Sequence, residues 1–288
     1  MSMIPDEKAI LEIVDIALKE DIGDGDHTSL ATIPSDATGS AKLLVKDDGI
    51  LAGVELAKMI FRRVDPMLKM DVLIEDGAAV KKGDIAFHVK GASRSIVSAE
   101  RLVLNFMQRM SGIATKTHEL AKLIEDLPTQ LLDTRKTTPC VRLMEKWAVR
   151  IGGGNNHRFA LYDMVMIKDN HVDYAGGIKN AIIRTNSYLT EKGKDLRVEI
   201  ETRSLDEVKQ VLEVGDVDRI MLDNFTPEQI REALTYIDSK QFETEASGGI
   251  NADTIRAYAE TGVDFISSGA LTHSYQSLDL SLKAEFDF

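Results

Sequence analysis

Long apolar runs are missing from this 288-residue chain. No stretch approaches the ~20 apolar residues that a membrane span needs. The first residues, MSMIPDEKAI, carry no basic cluster leading into an apolar run, so no secretory signal is expected there. Cysteine is nearly absent. Cys140 stands alone, which excludes an intrachain disulfide framework and fits a reducing compartment. Basic charge is in deficit as well: 35 Lys and Arg face 47 Asp and Glu, for a formal net charge of -12. The long continuous basic surface that nucleic acid requires is therefore not expected. These absences predict a soluble cytoplasmic protein. Its 43% hydrophobic content suffices for one large core, or for a barrel plus a smaller module.

Against this acidic background, Asp133–His171 runs the other way. Seven basic residues (Arg135, Lys136, Arg142, Lys146, Arg150, Arg158, Lys168) face four acids (Asp133, Glu145, Asp163, Asp169), and His157 and His171 lie in the same stretch. A local excess of cations in an acidic chain suits a small polyanion.

The pattern along the chain changes twice. Residues 6–20 predict an amphipathic helix through Ile10, Ile13, Val14 and Ala17, followed by a Gly/Asp loop at 21–29. From about 40 to 91 the texture is β, with strands at Lys42–Lys46 and Ile85–Val89. A helical period then runs from 93 to 126, with Gly112 expected to break it. Beyond it, six short runs alternate with helical patterns: QLLDT (130–134), MVMIK (164–168), RVEIET (197–202), RIMLD (219–223), ETEAS (243–247) and DFISS (264–268). Helix openings are expected at Ser204, Thr226 and Asn251, and helix ends near Gly193, Gly215 and Gly262. Such βα units imply a parallel sheet, either open and doubly wound or closed into a barrel. Arg135-Lys136, Lys168, Glu201, Asp223, Ser247-Gly248-Gly249 and Ser268-Gly269 all end their runs, and a barrel gathers those ends at one mouth. The expected class is thus α/β, with a domain at 1–111, a barrel at 112–288, and the last ~15 residues free to return to the first domain.

Arg135, Lys136, Arg158 and Lys168 suit a pocket for carboxylates or phosphates, with His157 as a further donor. The alternative is surface charges paired with neighbouring acids. Thr137-Thr138-Pro139 after Arg135-Lys136 favours the pocket. Arg142, Lys146 and Arg150, at helical spacing, are expected on a solvated or partner-facing helix face. Glu199 and Glu201 share one strand face. Glu201 with Asp223 suits sugar hydroxyls or a hydrated Mg²⁺, and the alternative is a buried Arg–Glu pair in the barrel core. The glycines after the last two runs, followed by His273, suit a phosphate. Cys140 and Trp147 carry no chemical argument, and two histidines fourteen apart do not make a zinc site.

In their order and spacing, DTRKTTP, GGGNNHR, MIKDNH, VEIET, IMLDN, SGGI and SGALTHS resemble the quinolinate phosphoribosyltransferase family, as do EDIGDGDHTS and SAERLVLNFMQRMSGIAT. The resemblance spans nearly the whole chain. It implies an N-terminal α/β sandwich and a C-terminal incomplete α/β barrel, in dimers or larger assemblies. It also implies a reaction: quinolinate and phosphoribosyl pyrophosphate (PRPP) give nicotinate mononucleotide, pyrophosphate and CO₂, with Mg²⁺ as cofactor. Quinolinate would be held by Thr134, Arg135, Lys136, His157, Arg158 and Lys168, with Arg101 reaching in from a neighbouring subunit. Glu201, Asp223 and Glu199 would take the ribose hydroxyls, and Glu201 and Asp223 the Mg²⁺ environment, through water. Ser247, Gly248, Gly249, Ser268, Gly269, Ala270 and His273 would cradle the 5′-phosphate. Lys136, Lys168, Glu201 and Asp223 would form the catalytic set. One departure stands out, Cys140 where the family pattern calls for Gly. A related group associated with molybdenum genes shares the DTRKTTP-like segment, but the full basic set here favours a dicarboxylate. A non-catalytic barrel would have lost some charged strand ends, and none is lost.

Overall fold

Ile10 and Val14 lie a helical turn apart and are buried on α1 (Glu7–Ile22), in a computed structural model that describes residues 4–285. Asp26 caps α2 (His27–Thr32), accepting the Ser29 N–H at 3.0 Å and the Ser98 hydroxyl at 3.0 Å, so this acid of the Gly/Asp loop is structural. There follow β1 (Thr38–Val45), β2 (Gly49–Ile50), α3 (Val54–Val64), β3 (Lys69–Val72), β4 (Ala79–Val80), β5 (Ile85–Ala92) and the long α4 (Ser93–Lys122). Gly112 does not break α4. A Cβ there would lie 2.2 Å from the Gln276 carbonyl oxygen, so the glycine admits a neighbouring chain segment rather than ending the helix.

The remaining elements are β6 (Gln130–Leu132), α5 (Arg142–Ile151), β7 (Val165–Ile167), α6 (Asp169–Ala175), α7 (Ile178–Lys192), β8 (Val198–Thr202), α8 (Leu205–Val214), β9 (Arg219–Asp223), α9 (Pro227–Tyr236), β10 (Glu243–Ser247), α10 (Ile255–Ala259), β11 (Phe265–Ser267), α11 (Ala270–His273) and β12 (Leu280–Glu285). All six expected runs contain a strand. Ser204 caps α8, and Thr226 caps α9 in a reciprocal box with Gln229. Asn251 instead makes a turn, accepting the Asp253 N–H, and α10 starts only at Ile255.

Two compact units result. One comprises residues up to His118, Thr137–Gly153 and residues from Leu271 on; the other comprises Glu119–Lys136 and Gly154–Ala270. The 137–153 segment thus clusters with the first unit, whereas a division after residue 111 assigns it to the second. The first unit holds an antiparallel sheet in the order β12-β1-β5-β3, besides the β2–β4 pair. Alternate residues Ala41, Leu43, Phe87, Val89 and Leu282 are buried, and Phe61 of α3 meets Phe87 edge-on. The second unit holds a parallel sheet in the order β6-β11-β10-β9-β8-β7. Helices follow its strands as crossovers, as parallel pairing requires. No pairing between β6 and β7 closes the ring among the described residues, so the barrel is incomplete. No helix among them is long and apolar enough to cross a membrane.

Candidate active site

Parallel register puts the odd-numbered residues of β8 to β11 on one face. Glu199 pairs with Arg219 and Arg219 with Glu243, while Glu201 aligns with Met221 and Ser247 with Asp223. The ends of these strands carry the residues expected at the mouth: Glu201, Asp223, Ser247–Gly249 and Ser268–Ala270. β6 and β7 bring Thr134–Lys136 and Lys168 in the same way.

Asp133 organises the basic segment. It is fully buried, its Oδ1 accepts the His157 N–H at 2.8 Å and its Oδ2 accepts from the Asn156 amide at 2.7 Å. An isolated parallel bridge, Leu132 to Asn155, runs beside it. The segment with His157 and Arg158 is thereby fixed beside the end of β6. Arg158 is 9% exposed and donates to the Met164 carbonyl at 3.1 Å, while its Nε has no hydrogen-bond partner. Neither Arg158 nor Arg135 forms an ion pair among the described residues. Burial, then the charge of Arg135, pulls Arg158 below the usual guanidinium range. Two guanidiniums close enough to repel, one desolvated and both without a carboxylate, are suited to an anion. Lys136 is exposed, and its backbone N–H donates to Thr134 Oγ1 at 3.0 Å.

Lys168 Nζ lies 2.8 Å from Glu201 Oε2. The Lys168 N–H donates to His171 Nδ1 at 2.9 Å, which fixes the start of α6. Asp223 is half-buried and its Oδ2 accepts from the Asn224 amide at 2.6 Å. After β10, Gly248 (φ 104°) and Gly249 (φ 62°) take left-handed turns, and the Ser268 hydroxyl donates to the Ile250 carbonyl at 3.2 Å.

Glu199 and His157 do not face an open pocket. Glu199 is 0% exposed, with His157 Nε2 at 2.9 Å and Arg219 Nη1 at 3.9 Å. Glu245, equally buried, lies 3.4 Å from His157 Nε2 and 2.9 Å from Arg219 Nη1, and Arg219 also pairs with Glu243 at 2.8 Å and stacks on Phe265 at 4.0 Å. The expectation that Glu199 touches substrate is corrected on this geometry: its carboxylate is spent in the barrel core, the buried Arg–Glu alternative. The ligand atoms of His157, Glu199 and Glu245 lie within 4.8 Å of one another, but Arg219 already supplies the cation there. Burial opposes a charge on His157, yet Glu199 and Glu245 outweigh it and push the ring up to about 9. Its Nδ1 accepts the Arg158 N–H at 2.7 Å, which favours a single proton on Nε2. Two carboxylates against one guanidinium still demand one more proton for neutrality. Burial, then Glu245, raises Glu199, whereas His157, Ser267 and Arg219 hold Glu245 down despite its burial. The folded cluster therefore retains a proton, on the ring or beside it.

Arg101 is exposed on α4, and His273 is exposed at the end of α11 with its Nδ1 2.7 Å from Ser274 Oγ; both belong to the first unit. Of the α5 residues expected on a solvated or partner-facing face, Arg150 is exposed and Arg142 half-buried, but Lys146 is buried. Glu145 beside it is buried too, enclosed by Arg109 at 2.7 Å and by the Thr138 N–H at 3.0 Å. Sequence reading missed Asp133, Arg219, Glu243 and Glu245. The signal was available for the strand residues: Glu243 and Glu245 in ETEAS are two apart and Arg219 and Asp223 in RIMLD four apart, so each pair shares a face, as Glu199 and Glu201 do.

Residues 113–283 match the family described as quinolinate phosphoribosyl transferase, C-terminal domain, and residues 26–111 match its N-terminal domain. The chain is 50% identical over 290 residues to the chloroplastic nicotinate-nucleotide pyrophosphorylase [carboxylating] of Arabidopsis thaliana, covering 95% of this chain and 82% of that protein. It is 49% identical over 288 residues to the protein of that name from Oryza sativa subsp. japonica, covering 95% and 77%. The crystal structure of NadC from Streptococcus pyogenes superposes with a TM-score of 0.91 at 37% identity, covering 98% of each chain.

Proposed function

The chain belongs to the quinolinate phosphoribosyltransferase family, and we propose that its second unit binds the two carboxylates of quinolinate on Arg135 and Arg158. The reaction moves the phosphoribosyl group of PRPP to the ring nitrogen and releases pyrophosphate and CO₂, leaving nicotinate mononucleotide. The observation that carries the reading is the buried Arg158 with an unbonded Nε beside a second unpaired guanidinium. A guanidinium fork matches a carboxylate in shape and charge.

Chemistry follows from the charges. Loss of pyrophosphate gives the ribose oxocarbenium character, which Glu201 and Asp223 stabilise electrostatically. Ring-nitrogen attack makes a pyridinium; its positive nitrogen stabilises the electron pair left on C2 when the adjacent carboxylate leaves as CO₂, and that carbon then takes a proton from water. No protein nucleophile is required. Lys168, paired with Glu201 at 2.8 Å, directs that carboxylate, and Lys136 adds positive charge beside the departing carboxylate. Backbone N–H groups of Ser247–Gly249 and Ser268–Ala270 receive the 5′-phosphate.

Glu201 and Asp223 fit a hydrated Mg²⁺ better than a chelated one. One oxygen of each is already bound, to Lys168 and to Asn224, which leaves one on each for coordinated water. When bound, Mg²⁺ supplies neutralisation of the pyrophosphate charge. Arg101, exposed and without an ion pair among the described residues, serves the site of a second copy in a homo-oligomer.

The test is a chromatographic assay with quinolinate, PRPP and Mg²⁺, and with nicotinate replacing quinolinate in parallel. Nicotinate mononucleotide from quinolinate alone is expected. Product from nicotinate instead would overturn the acceptor assignment.

A further inference from the structure

Among the described residues only three non-glycine positions take a positive φ: Cys140, Asp216 and, at the end of β9, Asn224. Asn224 has φ 58°, a conformation that costs most side chains about 1–2 kcal/mol and that Asn tolerates best. Three contacts follow from this turn. The Asn224 amide donates to Asp223 Oδ2 at 2.6 Å. Its backbone N–H donates to the Ser247 carbonyl at 2.8 Å, tying the end of β9 to the end of β10. Its side chain also fills the space a Cβ would take at Gly248, where such an atom would fall 2.2 Å from Asn224 Oδ1. The Gly248 turn and the Asn224 side chain are therefore built around each other.

We infer that Asn224 is a positioning residue for the reaction: its amide orients the Asp223 carboxylate, and its packing against Gly248 couples that carboxylate to the loop that receives the phosphate. The inference rests on the functional reading above. Asp223 is flanked in sequence by Leu222, which is fully buried, and Asn224 is the side chain that bonds it. Without the donor, both Asp223 oxygens are free to swing. A carboxylate acting through charge on a developing oxocarbenium loses effect steeply with small displacement. Quinolinate, held by Arg135 after β6 and by Arg158 in the segment fixed beside it, is not touched by the change.

Asn224→Gly keeps the left-handed backbone and removes the donor. It is expected to lower kcat about 10- to 100-fold, with the KM for quinolinate within about twofold of wild type and the thermal midpoint preserved. Asn224→Asp keeps the shape, turns the donor into a second carboxylate against Asp223, and is expected to lose more. Asn224→Gly with wild-type kcat would overturn the inference. So would a loss spread equally over kcat and the quinolinate KM with a fallen midpoint, which marks a merely structural role. A wild-type protein that makes no nicotinate mononucleotide would overturn the functional reading, and the inference with it.

Discussion

Removing the Arg158 guanidinium takes away the buried half of the proposed dicarboxylate site while leaving Arg135 in place. A charge-assisted hydrogen bond is worth about 1.5–3 kcal/mol, so Arg158→Ala is expected to raise the KM for quinolinate roughly 10- to 100-fold. Initial rates at saturating PRPP check this, and an unchanged KM would put the dicarboxylate elsewhere. The proton retained by the cluster of His157, Glu199 and Glu245 gives a pH signature. The ring ordinarily titrates at 6.5 and is pushed to about 9 in the folded chain. A raised folded pKa means that the stabilisation is complete below 6.5 and is lost as pH rises through 9. Urea midpoints should therefore fall between pH 6.5 and 9.5, by a term on the order of 3 kcal/mol at most, and Glu245→Gln should flatten that slope. An identical slope in the variant would remove His157 and its glutamates as the cause. Cys140 explains its own oddity: with φ 68° it occupies a turn that glycine adopts freely. Cys140→Gly should leave stability unchanged or raise it by up to about 1 kcal/mol, since relief of strain exceeds the added chain entropy. Thermal unfolding of the pair decides it.

At the scale of elements, Gly112 reverses an ordinary rule. Ala normally stabilises a helix over Gly by about 1 kcal/mol. In α4 the new Cβ would meet the Gln276 carbonyl oxygen at 2.2 Å and the Tyr275 ring at 2.9 Å. Gly112→Ala is expected to destabilise by about 1–3 kcal/mol, read as a lower denaturation midpoint; a higher midpoint would show that the neighbouring segment yields. The same residue marks the limit of sequence reading. Period and caps located six barrel strands and two helix starts, because local pattern decides them. The use of Gly112 depends on a residue 164 positions away, which no local pattern contains. The site divides in the same manner. Arg135, Lys168, Glu201 and Asp223 were legible because each closes a strand. The burial of Glu199 and Lys146 was not, since Arg219, His157 and the fold around α5 settle it across distant segments.

At the scale of the whole molecule, the proposed role of Arg101 makes activity depend on assembly. If Arg101 serves a second copy, Arg101→Ala and Lys168→Ala proteins are each inactive alone. Mixed under conditions of subunit exchange, they should recover up to about a quarter of wild-type activity, because some dimers then hold one intact site. No recovery with exchange demonstrated would confine each site to one chain.

The pairing of β12 with β1 also sets an order of events during synthesis. Ser40 aligns with Glu285 and Val45 with Leu280, so the strand that begins the first sheet waits for one made after every barrel strand. While the barrel is being translated, β1 keeps an open edge beside Leu43 and Val45, available to another nascent chain on the same polysome. Loss of the last strand by premature termination would leave that edge open for good. A shortened product would then be expected to aggregate or be degraded, even though its barrel strands are all present.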